Sequence, residues 1–212
     1  MDTFYKIHVK TRGQLYIIPG GKTPANFYKI LAKKINDWKD CKFLLSDERL
    51  SNNLELLNIN MVKKTFFNEI KNDNIPQLIN LDLNKKSILQ KQLESTKPKI
   101  AILGLGNDGH TASLFPGNPN LFNNSQELAI RTKNNNENFY RASLSFKYLM
   151  QSDQIFFLIN GENKATALKE CLFGKYNPIK YPAQFLIKNF QNQIHFFADY
   201  EATKYLNYNK YD

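Results

Sequence analysis

A carboxylate and an imidazole lie two residues apart in a glycine-rich stretch, at Asp108 and His110. The stretch follows a short apolar run over 100–103, which predicts a buried strand that ends at Gly104. Glycines at 104, 106 and 109 let the backbone bend and come close to a ligand. A carboxylate can orient the imidazole and raise its basicity. We therefore predict that His110 takes a proton from water and that Asp108 orients or tunes it.

The same glycine loop has other interpretations. Its three spaced glycines formally match a dinucleotide-binding fingerprint, but Pro116 prevents the long helix that the fingerprint requires. An ordinary tight turn is the structural alternative. No cysteine or second histidine accompanies His110 at ligand spacing, and His8 and His195 lie in strand-like apolar contexts. We expect neither a nicotinamide cofactor nor a metal, and assign no role to the other two histidines.

A double glycine separates the first predicted strand from the first predicted helix. Gly20 and Gly21 follow the strand, and Lys22 and Thr23 lead into Pro24. Thr23 is predicted to be the N-cap and Pro24 the first helical residue, since its fixed φ suits that place. Free N–H groups at a helix start form an anion site. This turn is therefore a candidate for binding a phosphate.

Four charged residues elsewhere in the chain are further candidates for ligand binding. Asp47 and Arg49 follow a predicted strand, at the end that faces the crevice of a parallel sheet. Arg141 begins another strand, and Lys164 opens a helix after a glycine turn. Arginine suits the forked recognition of phosphate, and lysine suits a point charge on it. A solvated charge cluster and isolated surface charges are the alternatives.

The chain that must position these residues alternates between strands and helices. Apolar runs predict strands over 14–19, 42–46, 100–103, 128–132, 140–145, 155–159 and 194–198. Helical spacing and capping signals predict helices over 24–36, 58–70, 85–93, 164–172 and 199–206, a short helix or turn after Pro182, and loops over 50–57 and 71–83. The alternation predicts an α/β fold with a mostly parallel, Rossmann-like sheet, helices on both faces, and a single domain over 1–212.

The composition is that of a globular chain of 212 residues with a formal net charge of +10 and two cysteines. Two distant cysteines favour neither a disulfide scaffold nor a zinc site, and they indicate a reducing compartment. The sequence shows no signal-peptide pattern and no apolar run that could span a bilayer, so we expect a cytoplasmic protein without a membrane partner. The lysines are scattered, which disfavours nucleic-acid binding. A basic surface would also attract a phosphorylated metabolite, which the candidate residues above favour.

Several motifs, taken together, resemble the 6-phosphogluconolactonases. They are Gly-Gly-Lys-Thr-Pro at 20–24, Ser-Asp-Glu-Arg at 46–49, the loop over 104–117, Arg-Ala-Ser-Leu-Ser at 141–145, Gly-Glu-Asn-Lys-Ala at 161–165, Tyr-Pro-Ala at 181–183 and Phe-Ala-Asp-Tyr-Glu-Ala at 197–202. Their order and spacing are similar to those of the family. Three features depart from it. Lys22 replaces the usual Ser, the segment after Arg49 is shortened with Asn58 or Asn60 as the matching asparagine, and most of the family's usual leading helix is not expected at the N-terminus.

The resemblance implies hydrolysis of 6-phospho-D-glucono-1,5-lactone to 6-phosphogluconate in the oxidative pentose phosphate pathway, without a cofactor or a metal. It implies that His110 acts as general base on water, with Asp108 beside it. The residues that it assigns to the phosphate and the rest of the substrate are Gly20, Gly21, Lys22, Thr23, Asp47, Arg49, Arg141 and Lys164. The expected partner is then a small phosphosugar lactone, and we favour a monomer.

Two other functions remain as alternatives. The related glucosamine-6-phosphate deaminases share the Asp-Gly-His loop, but usually continue Ile-Ala-Phe-Asn-Glu-Pro where this chain has Thr-Ala-Ser-Leu-Phe-Pro at 111–116. They also carry Asp-Glu-Tyr in place of Asp-Glu-Arg at 47–49. Both differences favour the lactonase, because Leu114 and Phe115 supply no acid that assists ring opening. The second alternative is a non-catalytic protein that binds sugar phosphates or nucleic acid.

Overall fold

The computed structural model describes residues 1–9, 13–71, 74–93, 96–122 and 128–206. Its strands are β1 (Leu15–Ile18), β2 (Lys42–Leu45), β3 (Asp47–Leu50), β4 (Gln77–Ile79), β5 (Pro98–Gly104), β6 (Ala129–Lys133), β7 (Tyr140–Leu144), β8 (Gln154–Ile159) and β9 (Gln193–Ala198). Its α-helices are α1 (Asp2–His8), α2 (Ala25–Lys34), α3 (Asn58–Thr65), α4 (Lys86–Leu93), α5 (Phe146–Leu149), α6 (Ala165–Phe173), α7 (Ala183–Asn189) and α8 (Tyr200–Thr203).

The main sheet contains parallel strands in the order β4-β2-β1-β5-β8-β9. The chain leaves β1 toward β2 on one side and leaves β5 toward β8 on the other. The strand order therefore reverses between β1 and β5. At such a point the connections diverge and leave a crevice outside the carboxyl ends of the strands. The Gly20 turn and the 104–117 loop begin at this crevice.

Apolar runs explain why β1 and β5 lie in the middle of the sheet. Residues 15–18 and 100–103 are fully buried. Strands buried on both faces need helices on both faces. α2 packs on α3, and α6 packs on α7; right-handed crossovers place these two pairs on opposite faces of the sheet. The predicted α/β fold, with a mostly parallel sheet and helices on both faces, is confirmed.

A smaller antiparallel sheet, in the order β3-β7-β6, carries several predicted site residues. The sequence predicts one strand from 42 to 46 that runs into the Asp-Glu-Arg triplet, but the chain bends at Ser46 and the triplet forms part of β3. Ser46 connects the two sheets, because its N–H donates to the Ile18 carbonyl (2.8 Å) and its carbonyl accepts from Leu144 N–H (2.8 Å). This bend carries Asp47 and Arg49 out of the main sheet.

Several predicted helix boundaries are wrong. α2 begins at Ala25 with Pro24 as N-cap and without a capping side chain, so Thr23 is not the N-cap. The helix predicted over 58–70 divides into α3 and a short 3₁₀ turn over 67–69. At the other end of the chain the prediction that Asp199 caps a helix is confirmed, because Asp199 Oδ1 accepts from Ala202 N–H (2.8 Å), although α8 is shorter than predicted.

The sequence predicts neither α1 nor β4. α1 forms in the polar N-terminal stretch because Phe4 and His8 are buried against the core. His8 therefore lies on a helix and not in a strand-like context, with Nδ1 2.9 Å from Tyr16 Oη and Nε2 2.9 Å from the Asp37 carbonyl. β4 pairs with β2 inside the predicted loop over 71–83, of which residues 72–73 lie outside the described residues. Within the described ranges, no helix is long and apolar enough to cross a membrane.

Candidate active site

The loop after β5 holds Asp108 against His110. Gly106 N–H donates to the His110 carbonyl (2.8 Å), and Gly109 N–H donates to the Gly106 carbonyl (3.1 Å), which folds the loop back on itself. Asp108 Oδ1 accepts from His110 N–H (3.1 Å) and lies 2.5 Å from His110 Nδ1. Because an ionised carboxylate only accepts hydrogen bonds, Nδ1 carries a proton and Nε2 is left as the basic nitrogen of the neutral ring. In this tautomer Nε2 can accept a proton, as a general base does.

Gly106 makes room for the pair. A Cβ at this position would lie 2.1 Å from His110 Nδ1 and 2.5 Å from Asp108 Oδ1. A side chain here would therefore push the imidazole away from the carboxylate. Glycine is required at position 109 for a different reason, since its φ is +78° and a Cβ would lie 2.7 Å from Tyr181 Cδ1. Gly104, by contrast, has nothing within 4 Å of such a Cβ.

His110 is partly buried and Asp108 is exposed, and the charge state of Asp108 follows from the hydrogen bonds that it accepts. The His110 ring lies against Phe115, with ring centroids 4.8 Å apart. Burial acts to raise the pKa of Asp108, but the hydrogen bonds from His110 outweigh it and hold that pKa below its ordinary value. Asp108 is therefore ionised through the neutral pH range and remains an acceptor for the Nδ1 proton of His110.

Arg141 lies between two carboxylates on the small sheet. Its Nε donates to Glu137 Oε2 (2.8 Å), and its Nη2 pairs with Glu137 Oε1. Its Nη1 lies 3.4 Å from Asp47 Oδ2. Asp47 also accepts from Ser113 Oγ (2.7 Å), which ties β3 to the loop that carries His110. Only 12% of the Arg141 side chain is accessible to solvent, so these partners fix the guanidinium in one place.

Arg49 contacts the double-glycine turn through Asn58. Its Nη1 donates to Asn58 Oδ1, and Asn58 Nδ2 donates to the Asp47 carbonyl (2.8 Å). The Asn58 amide lies so close to Gly20 that a Cβ there would be 1.9 Å from Oδ1. Gly20 is therefore required by a close approach as well as by the turn. These contacts join β3, α3 and the turn after β1 into one unit.

Glu48, between the two site residues of the triplet, has a structural role. Its carboxylate accepts hydrogen bonds from the N–H groups of Arg49 (2.7 Å), Asn58 (2.7 Å) and Ile59 (2.8 Å). Burial raises the pKa of Glu48, and these donors oppose that shift. An anion at the first turn of α3 is also favoured by the helix dipole. Glu48 thus anchors the start of α3.

The double-glycine turn leaves main-chain donors available to a ligand. In the described parts of the chain, the N–H groups of Gly21, Lys22 and Thr23 have no hydrogen-bond partner. Gly21 has a φ of +91°, which glycine adopts without strain. The side chains of Lys22 and Thr23 are exposed. Because α2 begins directly behind these N–H groups, they can bind an anion.

Lys164 reaches the same edge of the sheet from the end of β8. Its side chain is half-buried at the start of α6. Burial lowers the pKa of Lys164, and the charge of Asp108 opposes that shift. Across the ranges that the structure covers, no hydrogen bond or ion pair holds the Lys164 ammonium group. A bound anion would supply the partner that a half-buried charge needs.

A cleft of about 630 Å³ opens on the β6 side of Asp108. Asp108 and Phe115 line it together with Arg131, Thr132 and Lys133 of β6. Sites for small molecules have volumes of roughly 300–1,000 Å³. The cleft is therefore large enough for a sugar-sized ligand beside Asp108.

The predicted site segments meet at one edge of the molecule. The double-glycine turn, the Asp-Glu-Arg triplet, the 104–117 loop and the turn before Lys164 follow β1, β2, β5 and β8, whose carboxyl ends lie at the same edge. Arg141 joins them because β7 pairs with β3. All eight predicted binding residues and the Asp108–His110 pair thus lie around the crevice, although Lys22 and Thr23 contribute main-chain groups rather than fixed side chains.

The structure adds residues to which the sequence assigns no role. Ser113 lies inside the motif loop, so its position there is the signal that could have identified it. Glu137 lies in a polar stretch between two predicted strands, where no sequence signal marks it. Of the two asparagines that match the shortened segment, Asn58 is the one in the site. Asn60 donates instead to the Leu54 carbonyl (2.7 Å), at the surface.

The chain is similar to members of one enzyme family. The family model described as glucosamine-6-phosphate isomerases/6-phosphogluconolactonase matches residues 6–196. A 6-phosphogluconolactonase of Haemophilus influenzae is 32% identical over 183 residues, which cover 78% of this chain and 76% of the relative. A 6-phosphogluconolactonase of Helicobacter pylori is 29% identical over 176 residues, which cover 80% of this chain and 77% of the relative.

Solved structures share the fold. The crystal structure of a 6-phosphogluconolactonase from Thermotoga maritima has a TM-score of 0.77 at 26% identity, with 93% of this chain and 90% of the other covered. A 6-phosphogluconolactonase from Trypanosoma brucei has a TM-score of 0.82 at 20% identity, with 97% and 92% covered. The second likeness concerns the fold alone.

Proposed function

Because the chain belongs to the family of glucosamine-6-phosphate isomerases and 6-phosphogluconolactonases, we propose that it hydrolyses 6-phospho-D-glucono-1,5-lactone to 6-phosphogluconate, with His110 as the general base. The observation that carries the proposal is the 2.5 Å contact between His110 Nδ1 and Asp108 Oδ1. The predicted hydrolase class is confirmed by the curated relatives, which are 6-phosphogluconolactonases. The proposal includes the oxidative pentose phosphate pathway and a cytoplasmic location.

In the first step, His110 Nε2 accepts a proton from the water that attacks the lactone carbonyl carbon. Asp108 accepts the hydrogen bond from Nδ1–H, which keeps Nε2 basic and stabilises the imidazolium once it forms. A new bond joins the water oxygen to the carbonyl carbon, and negative charge develops on the carbonyl oxygen. General base assistance of this kind accelerates a reaction by about 10²–10⁴-fold.

In the second step, the bond between the carbonyl carbon and the ring oxygen breaks. The ring oxygen leaves as an alkoxide and takes a proton, which the His110 imidazolium returns from Nε2. The products are a carboxylic acid and a free hydroxyl, and the imidazole is again neutral. One histidine therefore serves both proton transfers.

The phosphate of the substrate binds at the cationic part of the crevice. The main-chain N–H groups of the double-glycine turn and the Lys164 ammonium have no other partners in the described structure, so they are ready to bind an anion. Arg49 and Arg141 lie beside them on the small sheet. The basic surface of the chain, with a formal charge of +10, attracts the anionic substrate in solution.

The residues after His110 support the lactonase over the amino-sugar deaminase. Leu114 and Phe115 are buried, with 0% and 8% of their surfaces exposed, and neither carries a carboxylate. Phe115 instead packs an apolar ring against His110. Leu114 and Phe115 therefore supply no acid that could assist the opening of an amino-sugar ring.

The test is hydrolysis of freshly prepared lactone, corrected for spontaneous opening, by the wild-type protein and by His110→Ala. We expect the variant to lose about 10²–10⁴-fold in kcat while KM changes little. Full activity of the variant would contradict the assignment of the base. Ammonia release from glucosamine 6-phosphate by the wild-type protein would support the deaminase instead.

A further inference from the structure

The guanidinium of Arg141 is already occupied by a carboxylate of the same chain. Both Nε and Nη2 pair with the two oxygens of Glu137, one of these contacts being 2.8 Å long. A fork-to-fork pair of this kind is the geometry in which arginine also binds phosphate. A phosphate at Arg141 would therefore need donors that Glu137 already uses.

The β6–β7 hairpin fixes the position of Glu137. Asn136 N–H donates to Asn134 Oδ1 (3.0 Å), and Glu137 N–H donates to the Asn134 carbonyl (3.1 Å). This turn places Glu137 four residues before Arg141 and leaves 23% of its side chain accessible. The carboxylate is thus held beside the guanidinium and borders solvent.

The charges around the two arginines of the small sheet differ. Arg49 donates to the neutral amide of Asn58. Arg141 faces Glu137 and, at 3.4 Å, Asp47, so one positive charge lies beside two negative charges. Arg49, paired with Arg141 across the strands, carries no such carboxylate in the described parts of the chain, so the negative charge that an approaching anion meets lies at Arg141 itself.

We propose that Glu137 is a specificity-determining residue, which competes with the phosphate of the ligand for Arg141 and so sets the affinity of the site for anions. The proposal rests on the proposed function, since it assigns the phosphate to the crevice beside Arg141. A ligand that also binds other groups of the crevice displaces Glu137 and forms hydrogen bonds with Arg141. A small anion without those other contacts binds more weakly than it would if Arg141 had no carboxylate partner.

The experiment measures the binding of inorganic phosphate by titration calorimetry, together with lactone hydrolysis. We expect Glu137→Gln to bind phosphate about tenfold more tightly than the wild type, since a charge-assisted contact no longer has to be broken first. KM for the phosphorylated lactone should fall by a similar factor, whereas kinetics with unphosphorylated gluconolactone should not change. Glu137→Asp, which withdraws the carboxylate by one methylene, should also tighten phosphate binding.

Two controls separate this effect from general charge. Asp153→Asn removes one negative charge at the amino end of β8, where Asp153 pairs with Lys97 and Lys99, and it should leave phosphate binding unchanged. In an Arg141→Gln background, Glu137→Gln should have no further effect, because the donors for which it competes are gone.

Unchanged or weaker phosphate binding in Glu137→Gln would overturn the inference and would mean that Glu137 merely positions Arg141. The two proposals fail differently. Tighter phosphate binding in a protein that does not hydrolyse the lactone would leave the inference standing and contradict the function. If the protein hydrolyses the lactone but Glu137→Gln leaves the phosphate affinity unchanged, the proposed function stands and the inference about Glu137 is wrong.

Discussion

Arg49 and Arg141 are paired directly across the antiparallel strands β3 and β7. Residues paired in this way point to the same face of a sheet, and like charges so placed repel each other. The repulsion is offset because Asn58 accepts from Arg49, while Glu137 and Asp47 neutralise Arg141. The small sheet thus places two guanidinium groups on one face beside the crevice. The side chains that contact each guanidinium determine which of the two is free to bind an anion.

Gly106→Ala should abolish most of the catalysis that His110 provides. The new Cβ would overlap His110 Nδ1 and Asp108 Oδ1 and separate them, so kcat should fall by about 10²–10⁴-fold. Gly104→Ala is the matched control, since its Cβ meets nothing within 4 Å, and it should keep the wild-type kcat. Lactone hydrolysis and the thermal midpoint of each variant check the prediction. Equal activities of the two variants would contradict a catalytic role for the contact between Asp108 and His110.

Lys164→Gln should weaken the binding of the phosphorylated lactone and leave the chemical step intact. Because a hydrogen bond to a charged group is lost, KM should rise by about tenfold or more. Unphosphorylated gluconolactone should be hydrolysed as by the wild type, since it has no group for Lys164 to bind. The control is Lys169→Gln, an exposed lysine on the same helix. A loss that is equal for both substrates would show that Lys164 does not bind the phosphate.

Asn58→Ala should destabilise the protein as well as raise KM. The Asn58 side chain is buried and joins Arg49 to the Asp47 carbonyl, so its removal should cost about 1–3 kcal/mol in the free energy of unfolding. Asn60→Ala, two residues along the same helix, removes only a surface contact and should cost about 0.5 kcal/mol or less. Urea denaturation of both variants measures the difference. Similar losses would mean that Asn58 is not the linking residue.

The ion pairs of Asp153 should make stability depend on pH in a defined direction. Burial acts to raise the pKa of Asp153, but the hydrogen bonds from Lys97 and Lys99 outweigh it and hold that pKa below its ordinary value. A carboxyl with a depressed pKa in the folded state contributes stability above its unfolded pKa of about 3.9 and loses it as the pH falls through the folded pKa. Asp153→Asn should therefore be less stable than the wild type at pH 7 by no more than about 1 kcal/mol, since solvent reaches Asp153 and both lysines and screens the two ion pairs.

Asp153→Asn also tests the direction of this pH dependence. Denaturation at several pH values between neutral and strongly acid should show the difference between Asp153→Asn and the wild type shrinking as the pH falls. A difference that grows toward acid pH would contradict the assignment of the shift to the two lysines.

Long apolar runs and turn residues allow most of the fold to be predicted from the sequence. β1, β5 and β8 are buried runs followed by glycine-containing turns, and burial on both faces leaves little choice but a parallel sheet covered by helices. α1 and β4 are not predicted because their formation depends on contacts with the core and with β2, not on local periodicity. The triplet over 47–49 is misplaced for the same reason, since the bend at Ser46 depends on hydrogen bonds to two sheets.

The site, like the fold, has parts that follow from local sequence and parts that depend on tertiary contacts. The sequence alone determined the Asp108–His110 pair and the double-glycine turn, because each depends on residues within one short loop whose glycines permit its tight backbone conformation. Only the tertiary structure decided the partners of Arg49 and Arg141, since Asn58, Asp47 and Glu137 reach them through strand pairing and a hairpin turn. Local sequence can specify a contact across two residues, whereas charges from different strands meet only when the sheets assemble.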